Sequence, residues 1–242
     1  MILDEIVAAK RSELALLRER RPFFAALQPP SGLAVIAECK KASPSEGVIR
    51  PAYDPAGLAR SYAEGGAAAV SVLTERNYFS GSPTDLFAVR CAVTLPVLRK
   101  DFLFEPWQII ESVAMGADAL LVIVAIVGSA TGDLVSRSLE AGIEPLVEVH
   151  SEAEAEVALR SPARVIGINN RNLHDFTVDL GVTRRIAPLL AGEGRVVVTE
   201  SGIRGPEDLA GLREMGVRAC LVGTSALRAG EPARHLRSLA CS

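Results

Sequence analysis

The chain has 242 residues, of which 49% are hydrophobic and 23% are charged, and its formal net charge is −3. This composition is typical of a folded globular protein and excludes a disordered or collagen-like chain. The net negative charge and the lack of a basic stripe exclude nucleic acid as an expected partner. The length is close to the roughly 250 residues of one eight-stranded α/β barrel, although two smaller domains would also fit.

The cysteines and histidines predict neither a metal site nor a disulfide framework. They stand far apart, without a CxxC pair, at Cys39, Cys91, Cys220, Cys241, His150, His174 and His235. Zinc sites use short ligand spacings, so we expect no metal.

The sequence predicts neither a signal peptide nor a membrane span. The first residues, Met1 to Glu5, are acidic where a signal peptide is basic, and the longest apolar run, Ala119 to Val127, is too short to cross a bilayer. We therefore expect a cytoplasmic protein that does not contact the membrane.

Residues 1–32 predict an amphipathic helix that precedes the first strand. Apolar residues recur at helical spacing from Ile2 to Leu17, and the pattern ends near Arg21-Pro22. We expect this helix to be extra to the main domain, residues 33–242. It would pack on that domain as a cap or form a contact between two copies of the chain.

From residue 33 onward, short β-branched or apolar runs alternate with amphipathic stretches of ten or more residues. This alternation is typical of successive βα units. The eight predicted strands are Ala34–Cys39, Ala67–Thr74, Pro96–Lys100, Ala119–Val124, Pro145–Val149, Val165–Asn169, Val196–Glu200 and Ala219–Val222. Helices fill the intervals, and a last helix is predicted near Pro232–Leu239.

Four predicted helix-to-strand junctions repeat a glycine just past the helix. They read Glu64-Gly65-Gly66-Ala67, Met115-Gly116-Ala117-Asp118, Ala141-Gly142-Ile143-Glu144 and Met215-Gly216-Val217-Arg218. Glycine ends a helix at low cost because it adopts the left-handed conformation readily. A doubly wound sheet would alternate similarly, but it usually has fewer strands and a GxGxxG loop that this chain lacks. The sequence therefore favours a single closed (βα)8 barrel, the TIM-barrel fold, with an extra N-terminal helix.

Polar residues interrupt the apolar runs at the ends of five predicted strands. In α/β barrels these strand ends meet at one mouth, which carries the chemistry. The charged residues at these ends include Glu38, Lys40, Lys100, Glu148 and Glu200, and the sixth predicted strand ends in Asn169-Asn170-Arg171. Residues two apart on a strand share a face, so Glu38 and Lys40 point together while Cys39 faces the helix layer. Two amines and three carboxylates in one place would shift one another's pKa values, which predicts acid/base or Schiff-base chemistry.

Small and hydroxyl-bearing residues follow the seventh and eighth predicted strands, where barrels commonly bind phosphate. The two loops read Glu200-Ser201-Gly202-Ile203 and Val222-Gly223-Thr224-Ser225. Small residues let backbone N–H groups reach an anion, so we expect a phosphorylated small-molecule substrate. The loop at residues 41–47, after the first strand, is long enough to close over a ligand, or it is a plain connection.

Several long blocks of sequence, spread over nearly the whole chain, carry a resemblance to a known family. They include Ile2-Leu3-Asp4-Glu5-Ile6, Ile36-Ala37-Glu38-Cys39-Lys40-Lys41-Ala42-Ser43-Pro44-Ser45, Ser71-Val72-Leu73-Thr74-Glu75, Tyr78-Phe79-Ser80-Gly81-Ser82, Leu98-Arg99-Lys100-Asp101-Phe102, Leu146-Val147-Glu148-Val149-His150, Ile166-Gly167-Ile168-Asn169-Asn170-Arg171-Asn172-Leu173 and Thr199-Glu200-Ser201-Gly202-Ile203. In these blocks the chain resembles the indole-3-glycerol-phosphate synthases of tryptophan biosynthesis.

The resemblance implies a (βα)8 carboxy-lyase that uses no cofactor and no metal. Such an enzyme closes the ring of 1-(2-carboxyphenylamino)-1-deoxyribulose 5-phosphate, with loss of carbon dioxide and water, to give indole-3-glycerol phosphate. By analogy with the family, Lys100 is the general acid that protonates the substrate carbonyl oxygen as the aromatic carbon attacks. Glu148 and Glu38 serve the later loss of the hydroxyl and of a proton; which is acid and which is base stays open, and we favour Glu148 as the acid.

The same resemblance implies roles for further residues. Lys40 pairs with Glu38 and with the substrate carboxylate. Asn169 and Glu200 orient the reacting groups, and Arg171 anchors the anionic substrate. The implied phosphate contacts are Ser43, Ser201, Gly202, Gly223 and Thr224. The implied apolar contacts to the anthranilate ring are Phe79, Phe102 and Leu121.

The chain departs from the family pattern in one segment and at two positions. The stretch before the first strand is shorter than in many members. Glu46 stands where many relatives have lysine, and Trp107 stands where tyrosine is common. An exposed carboxylate at Glu46 would weaken the attraction to bound anions by a few tenths to about 1 kcal/mol.

Two other kinds of function also fit the residues. One is another phosphate-binding barrel, either an enzyme like phosphoribosylanthranilate isomerase or a class I aldolase with Lys100 as its Schiff-base amine. The other is a non-catalytic phosphate-binding protein, which the clustered charges argue against because buried ions bring little stability. We expect a monomer, with a weak homodimer as the alternative.

Overall fold

Within residues 2–173, 175–192 and 194–240, which the computed structural model describes, eight parallel strands close into one barrel. The strands are β1 (Ala34–Cys39), β2 (Ala42–Ser43), β3 (Gly47–Val48), β4 (Ala69–Leu73), β5 (Val97–Lys100), β6 (Ala119–Ile123), β7 (Glu144–Val149), β8 (Val165–Asn169), β9 (Val196–Glu200) and β10 (Val217–Val222). The barrel runs in chain order and closes where β10 pairs with β1, while β2 and β3 form a separate antiparallel hairpin after β1. This confirms the predicted (βα)8 fold.

Helices connect the strands, as the alternating pattern predicts. They are α1 (Ile2–Arg18), α2 (Phe23–Ala26), α3 (Pro55–Glu64), α4 (Pro83–Ala92), α5 (Pro106–Ala114), α6 (Val124–Val127), α7 (Thr131–Glu140), α8 (Glu152–Leu159), α9 (Gly181–Leu190), α10 (Pro206–Leu209), α11 (Thr224–Arg228) and α12 (Pro232–Ala240). Capping residues start several of them: Asp54 and Ser82 accept hydrogen bonds from the N–H groups of Gly57 and Thr84. The predicted barrel strands begin and end within two residues of the observed ones.

The glycines at the four predicted junctions adopt the left-handed backbone conformation. The φ angles of Gly66, Gly116, Gly142 and Gly216 are +82°, +82°, +73° and +96°. At Gly116 a side chain would also meet a neighbour, because a Cβ there would lie 2.9 Å from Leu17 Cδ2. The repeated glycine pattern therefore marks true helix ends, as predicted.

Apolar side chains fill both the inside of the barrel and the space between strands and helices. Ile36, Leu98 and Leu146 belong to the inner cluster, whereas Val35 and Cys39 belong to the outer one. The two clusters follow from the alternation of side chains along each strand, which buries both faces of a parallel sheet. Cys39 packs in the helix layer, as the alternation predicts.

Helix α1 is exposed along its length, and its C-terminal end is tied to the barrel. Leu3, for example, is 62% exposed. The Arg90 guanidinium donates hydrogen bonds to the carbonyl oxygens of Leu16 and Glu19, 3.0 and 2.6 Å away. The helix ends at Arg18, about one turn before its predicted end. The division into residues 1–32 and 33–242 stays a prediction.

Asp118, just before β6, holds the connection between α1 and the barrel. Its carboxylate accepts hydrogen bonds from the guanidinium of Arg90 at 2.6 Å, from the N–H of Arg21 at 2.8 Å and from the N–H of Val97 at 2.9 Å. The side chains of Arg90 and Asp118 are fully buried. One carboxylate thus satisfies three buried donors, which makes it central to the stability of this end of the barrel.

Met1, His174 and Cys241 lie outside the described residues. Cys39, Cys91 and Cys220 are free thiols. Across the described ranges there is no group of three or more histidine, cysteine, aspartate or glutamate side chains that could hold a metal ion. Among the helices in those ranges, none is long and apolar enough to cross a membrane.

Candidate active site

A cavity of about 650 Å³ opens where the barrel strands end. The strands that carry polar ends in the sequence meet there, because parallel strands present their carboxyl ends at the same mouth. Its lining includes Glu38 from β1, Lys100 from β5, Glu148 from β7, Asn169 from β8 and Glu200 from β9. The structure thus brings the predicted charged residues into one site.

Lys100 lies at the centre of this charge cluster. Its Nζ is 2.9 Å from Glu148 Oε2 and 3.3 Å from Glu200 Oε2. Burial disfavours the charged amine, but the attraction of Glu148, Glu200 and Glu38 outweighs it and holds the pKa of Lys100 above its ordinary value. The side chain is therefore an ammonium group that carries a proton to donate.

Glu148 is held as a carboxylate by donors on both of its oxygens. In addition to the Lys100 contact, Oε1 accepts a hydrogen bond from Asn169 Nδ2 at 3.1 Å and lies 3.3 Å from His150 Nε2. Burial alone would raise the pKa of Glu148, but Lys100 and His150 bring it well below its ordinary value. This carboxyl group is ionised when the site is empty.

Glu200 has the opposite electrostatic environment, although it lies beside the same lysine. Within the described residues, no hydrogen bond satisfies either of its buried carboxylate oxygens. Its carboxylate lies over Gly167, where any Cβ would collide with Oε1. Burial, reinforced by Glu148 and Glu38 and opposed by Lys100, raises the pKa of Glu200 to about 7. The site therefore holds two nearby carboxyl groups with opposite pKa shifts, as acid/base chemistry requires.

We expect Glu200→Gln to stabilise the fold at pH 8. The folded-state pKa lies above the ordinary 4.5, so ionising Glu200 destabilises the folded protein as pH rises from about 4.5 through about 7. The difference amounts to up to about 3 kcal/mol above pH 7. Urea unfolding of the variant and the wild type should give nearly equal free energies at pH 4.5 and a more stable variant at pH 8.

A matched control for this prediction is Glu156→Gln, because Glu156 is an exposed carboxylate on α8 whose partner is Arg160 at 3.7 Å. It should change the free energy of unfolding by less than about 1 kcal/mol at both pH values. If Glu200→Gln is instead less stable than the wild type at pH 8, the ion pair with Lys100 stabilises the fold more than burial of Glu200 destabilises it.

Glu38 and Lys40 form the second ion pair of the cavity. Lys40 Nζ lies 2.8 Å from Glu38 Oε1, as expected for side chains on the same face of β1. The carboxylate occupies space beside Gly223, where a Cβ would collide with Oε1. Gly223 is therefore needed to seat a charged group, in addition to any contact with phosphate.

The end of β9 is held in an unusual conformation by a buried amide. Ser201 and Gly202 have φ angles of +65° and +88°, and Ser201 Oγ donates to Asn169 Oδ1 at 2.8 Å. Asn170 Nδ2 donates to the carbonyl oxygens of Glu200 and Ser201, at 2.9 and 3.1 Å. Sequence reasoning missed Asn170, because its neighbour Asn169 is the one that faces the cavity. The hydrogen bonds of Asn170 fix the backbone at Ser201 and Gly202, which are two of the predicted phosphate contacts.

The predicted phosphate contacts fall on one side of the cavity, with one exception. Ser201, Gly202, Gly223 and Thr224 line it, whereas Ser43 does not. Ser43 lies in the hairpin after β1, with its Oγ 3.5 Å from Ser45 Oγ. The loop at residues 41–47 carries this hairpin.

Glu46 and Arg228 also reach the phosphate side of the cavity. Glu46 Oε2 accepts a hydrogen bond from Thr224 Oγ1 at 3.4 Å and lies 3.6 Å from Arg228 Nη2. Sequence reasoning missed Arg228 and also Arg204, which lines the cavity too. A signal existed for Arg228, since it follows Thr224 by four residues, which places both on one helix face.

Apolar side chains form the opposite side of the cavity. Phe79 and Phe102 lie with ring centroids 6.1 Å apart, and Leu121 lines the same space. Arg171 also lines the cavity, and its guanidinium donates to the carbonyl oxygen of Phe176 at 3.2 Å. The site therefore combines an apolar wall, a central cluster of charges and a side with small residues and hydroxyls.

Comparisons with known proteins point to one family. The family model described as "Indole-3-glycerol phosphate synthase" matches residues 4–239. A protein of that name from Laribacter hongkongensis is 44% identical, and the match covers 98% of each chain. "Indole-3-glycerol phosphate synthase 2" from Streptomyces coelicolor is 50% identical over 96% of this chain and 90% of its own.

Solved structures support the architecture independently. A thiamine phosphate pyrophosphorylase from Pyrococcus furiosus matches with a TM-score of 0.62 and 16% identity, over 86% of this chain and 93% of its own. Identity this low shows the barrel fold alone. The family model, by contrast, spans nearly the whole sequence and includes the strand ends that build the cavity. The resemblance predicted from the sequence is therefore confirmed, and this chain belongs to the indole-3-glycerol phosphate synthase family.

Proposed function

We propose that the cavity at the barrel mouth is where this chain carries out the indole-3-glycerol phosphate synthase reaction of tryptophan biosynthesis. The observation that supports this most directly is the Lys100 ammonium, which lies between Glu148 and Glu200 beside an apolar wall. The substrate, 1-(2-carboxyphenylamino)-1-deoxyribulose 5-phosphate, has an aromatic ring, a carboxylate, a carbonyl and a phosphate. The cavity offers a matching environment for each.

Ring closure needs a proton donor next to the substrate carbonyl. The aromatic carbon that bears the carboxylate attacks the carbonyl carbon, and the carbonyl π-electron pair moves to oxygen, which takes a proton from Lys100. Loss of carbon dioxide then leaves its electron pair in the ring system and restores aromaticity. Because three carboxylates keep Lys100 protonated, the acid is loaded before the substrate binds.

Dehydration needs an acid for the leaving hydroxyl and a base for a proton on carbon. We assign the acid role to Glu148 and the base role to Glu38, which lie on opposite sides of the barrel mouth in β7 and β1. Glu148 is ionised in the empty site, and the proton of Lys100 has by then gone to the carbonyl oxygen, so Glu148 takes up its proton from solvent before the hydroxyl leaves. Once Lys100 is neutral, Glu148 loses the positive neighbour that lies 2.9 Å away, which favours this uptake. Lys100 regains its proton from solvent before the next turnover.

The remaining residues bind and orient the substrate. Lys40, Arg171, Asn169 and Glu200 all line the cavity. We assign Lys40 to the substrate carboxylate, Arg171 to anchoring the anionic substrate, and Asn169 and Glu200 to orienting the reacting groups. The phosphate contacts are assigned to Ser201, Gly202, Gly223 and Thr224, which line the cavity, and to Ser43, whose neighbours Pro44 and Glu46 line it. The ring contacts are assigned to Phe79, Phe102 and Leu121.

The test of this function is an assay for the indole fluorescence of the product, starting from the carboxyphenylamino-deoxyribulose phosphate. The wild-type protein should generate indole emission and release one carbon dioxide per turnover. Borohydride added during turnover should not trap a covalent lysine adduct, since Lys100 acts as an acid. A trapped adduct would support a Schiff-base aldolase, and binding without turnover would support a non-catalytic protein.

We expect Thr224→Ala to raise KM about tenfold and to leave kcat within about twofold. The hydroxyl would donate a hydrogen bond to the phosphate, which binds the ground state and the transition state alike. Steady-state kinetics with the fluorescence assay measures both constants. Ser136→Ala is the control, because that hydroxyl bonds to Gly132 within α7. A lower kcat with unchanged KM for Thr224→Ala would contradict the phosphate role.

We also propose that the protein works in the cytoplasm as a monomer, without metal or cofactor. A weak homodimer is the alternative, with the exposed apolar residues of α1 as the contact. Size-exclusion chromatography with light scattering, at increasing protein concentration, distinguishes the two states.

A further inference from the structure

His150 lies directly behind Glu148, at the point where β7 ends. Its Nε2 is 3.3 Å from Glu148 Oε1, and its Nδ1 is 3.2 Å from Glu154 Oε2. The imidazole is only 14% exposed and does not line the cavity. It therefore connects a carboxylate of the site to a second carboxylate in the helix layer.

The chain around His150 fixes the orientation of the ring. Ser151 precedes α8 and accepts a hydrogen bond from the N–H of Glu154, at 3.3 Å. The Glu154 carboxylate in turn accepts the backbone N–H of His150, at 2.8 Å. These two hydrogen bonds hold Glu154 at the start of α8, where it faces the imidazole.

The charged groups around the ring favour its protonated form. Glu148 faces it from its own strand and Glu154 faces it from α8, while Lys100 of β5 lies beyond Glu148. The neighbouring helix α6, Val124–Val127, contributes no ionisable side chain. Burial disfavours the imidazolium, but the two carboxylates outweigh burial and raise the pKa of His150 to about 9. At neutral pH the ring therefore carries a positive charge and has an N–H at each nitrogen.

We propose that His150 is a positioning residue whose imidazolium holds one oxygen of Glu148 so that the other oxygen faces Lys100. This inference rests on the proposed role of Glu148 in the reaction. Glu148 has two oxygens with separate partners: Oε1 lies near His150 and Asn169, and Oε2 bonds to Lys100. Without the imidazolium, the carboxylate loses a buried positive neighbour and one of the contacts that set its rotation.

The decisive variant is His150→Gln, because glutamine is a polar side chain of similar length that cannot carry the positive charge. The 3.3 Å contact of Nε2 with Glu148 Oε1 is an ion-pair contact and not a hydrogen bond, so the charge is what the variant removes. We expect kcat at pH 7.5 to fall about tenfold, with KM within about twofold of the wild type. Loss of the positive neighbour should also raise the pKa of Glu148. Because the ionised carboxylate holds the Lys100 ammonium for ring closure, the acid limb of the kcat profile should move to higher pH. In the wild type, kcat should fall again as His150 deprotonates near pH 9, and the variant should lack that step.

Two further variants separate positioning from a general loss of structure. Glu154→Gln removes the outer carboxylate, so it should move the alkaline fall of kcat to lower pH while the protein stays folded by circular dichroism. His235→Gln is the matched control, since His235 lies on α12 and burial lowers its pKa. It should leave kcat and both limbs of the profile unchanged. An unchanged acid limb and unchanged kcat in folded His150→Gln would overturn the proposal.

An NMR titration of the histidine rings tests the charge without any assay of activity. With peaks assigned by the His150→Gln and His235→Gln variants, the His150 ring should titrate near pH 9 and the His235 ring below 6.5. Titration of His150 at or below 6.5 would overturn the proposal even if the synthase reaction is observed. Conversely, a wild-type protein without synthase activity would overturn the proposed function and the positioning role that rests on it. The titration would still show whether Glu148 and Glu154 keep the His150 ring positively charged.

Discussion

Lys100→Ala is expected to lower turnover by about 10²–10⁴-fold while the protein remains folded. The variant removes the cation that lies 2.9 Å from Glu148 and 3.3 Å from Glu200, and with it the proton for the substrate carbonyl oxygen. KM should change much less, because the phosphate and the aromatic ring are bound by other residues. The fluorescence assay, run under single-turnover conditions, measures the chemical step directly.

The matched control is Lys10→Ala, since Lys10 is an exposed lysine on α1 that pairs with Glu13. It should leave turnover unchanged and so exclude a general effect of losing a lysine. A second variant, Lys100→Met, keeps most of the unbranched side chain without the amine and should be as inactive as the alanine variant. Turnover within about twofold of wild type in either Lys100 variant would contradict the role of general acid.

Asp118→Ala is expected to destabilise the fold by about 3–5 kcal/mol, which corresponds to roughly 6–20 °C in Tm. Asp118 is the partner of the fully buried Arg90 and also accepts the N–H groups of Arg21 and Val97. Removing the carboxylate leaves a guanidinium charge in the interior with reduced compensation. Urea unfolding monitored by circular dichroism gives the free energy.

The control for this prediction is Asp133→Ala, because Asp133 forms an ion pair of nearly the same length, 2.7 Å, with Arg137 on the surface of α7. Since both of these side chains are more than half exposed, we expect a loss of less than about 1 kcal/mol. The double variant Asp118→Leu/Arg90→Met should recover part of the stability, since it removes both buried charges. If Asp118→Ala and Asp133→Ala lower the free energy of unfolding equally, burial of the Arg90–Asp118 ion pair does not determine its contribution to stability.

The fold was predictable because each of its signals is local. Alternating apolar runs located the strands of the barrel to within two residues, and the glycines at residues 66, 116, 142 and 216 marked helix ends. The prediction that Glu38 and Lys40 share a face needed only the two-residue period of a strand. Since parallel strands end at one mouth, the strand order also predicted that distant charges meet.

The sequence by itself determined the barrel, the residues that reach its mouth and, through long blocks of similarity, the family. The tertiary structure decided how those residues act on one another. It gave Glu148 and Glu200 opposite pKa shifts, seated the Glu200 carboxylate over Gly167, and brought Glu46 and Arg228 to the side of the cavity with the predicted phosphate contacts. The physical reason is that strand position depends on neighbours in sequence. The pKa of Glu148, by contrast, depends on burial and on charges a few ångströms away, such as Lys100, which lies on β5 while Glu148 lies on β7.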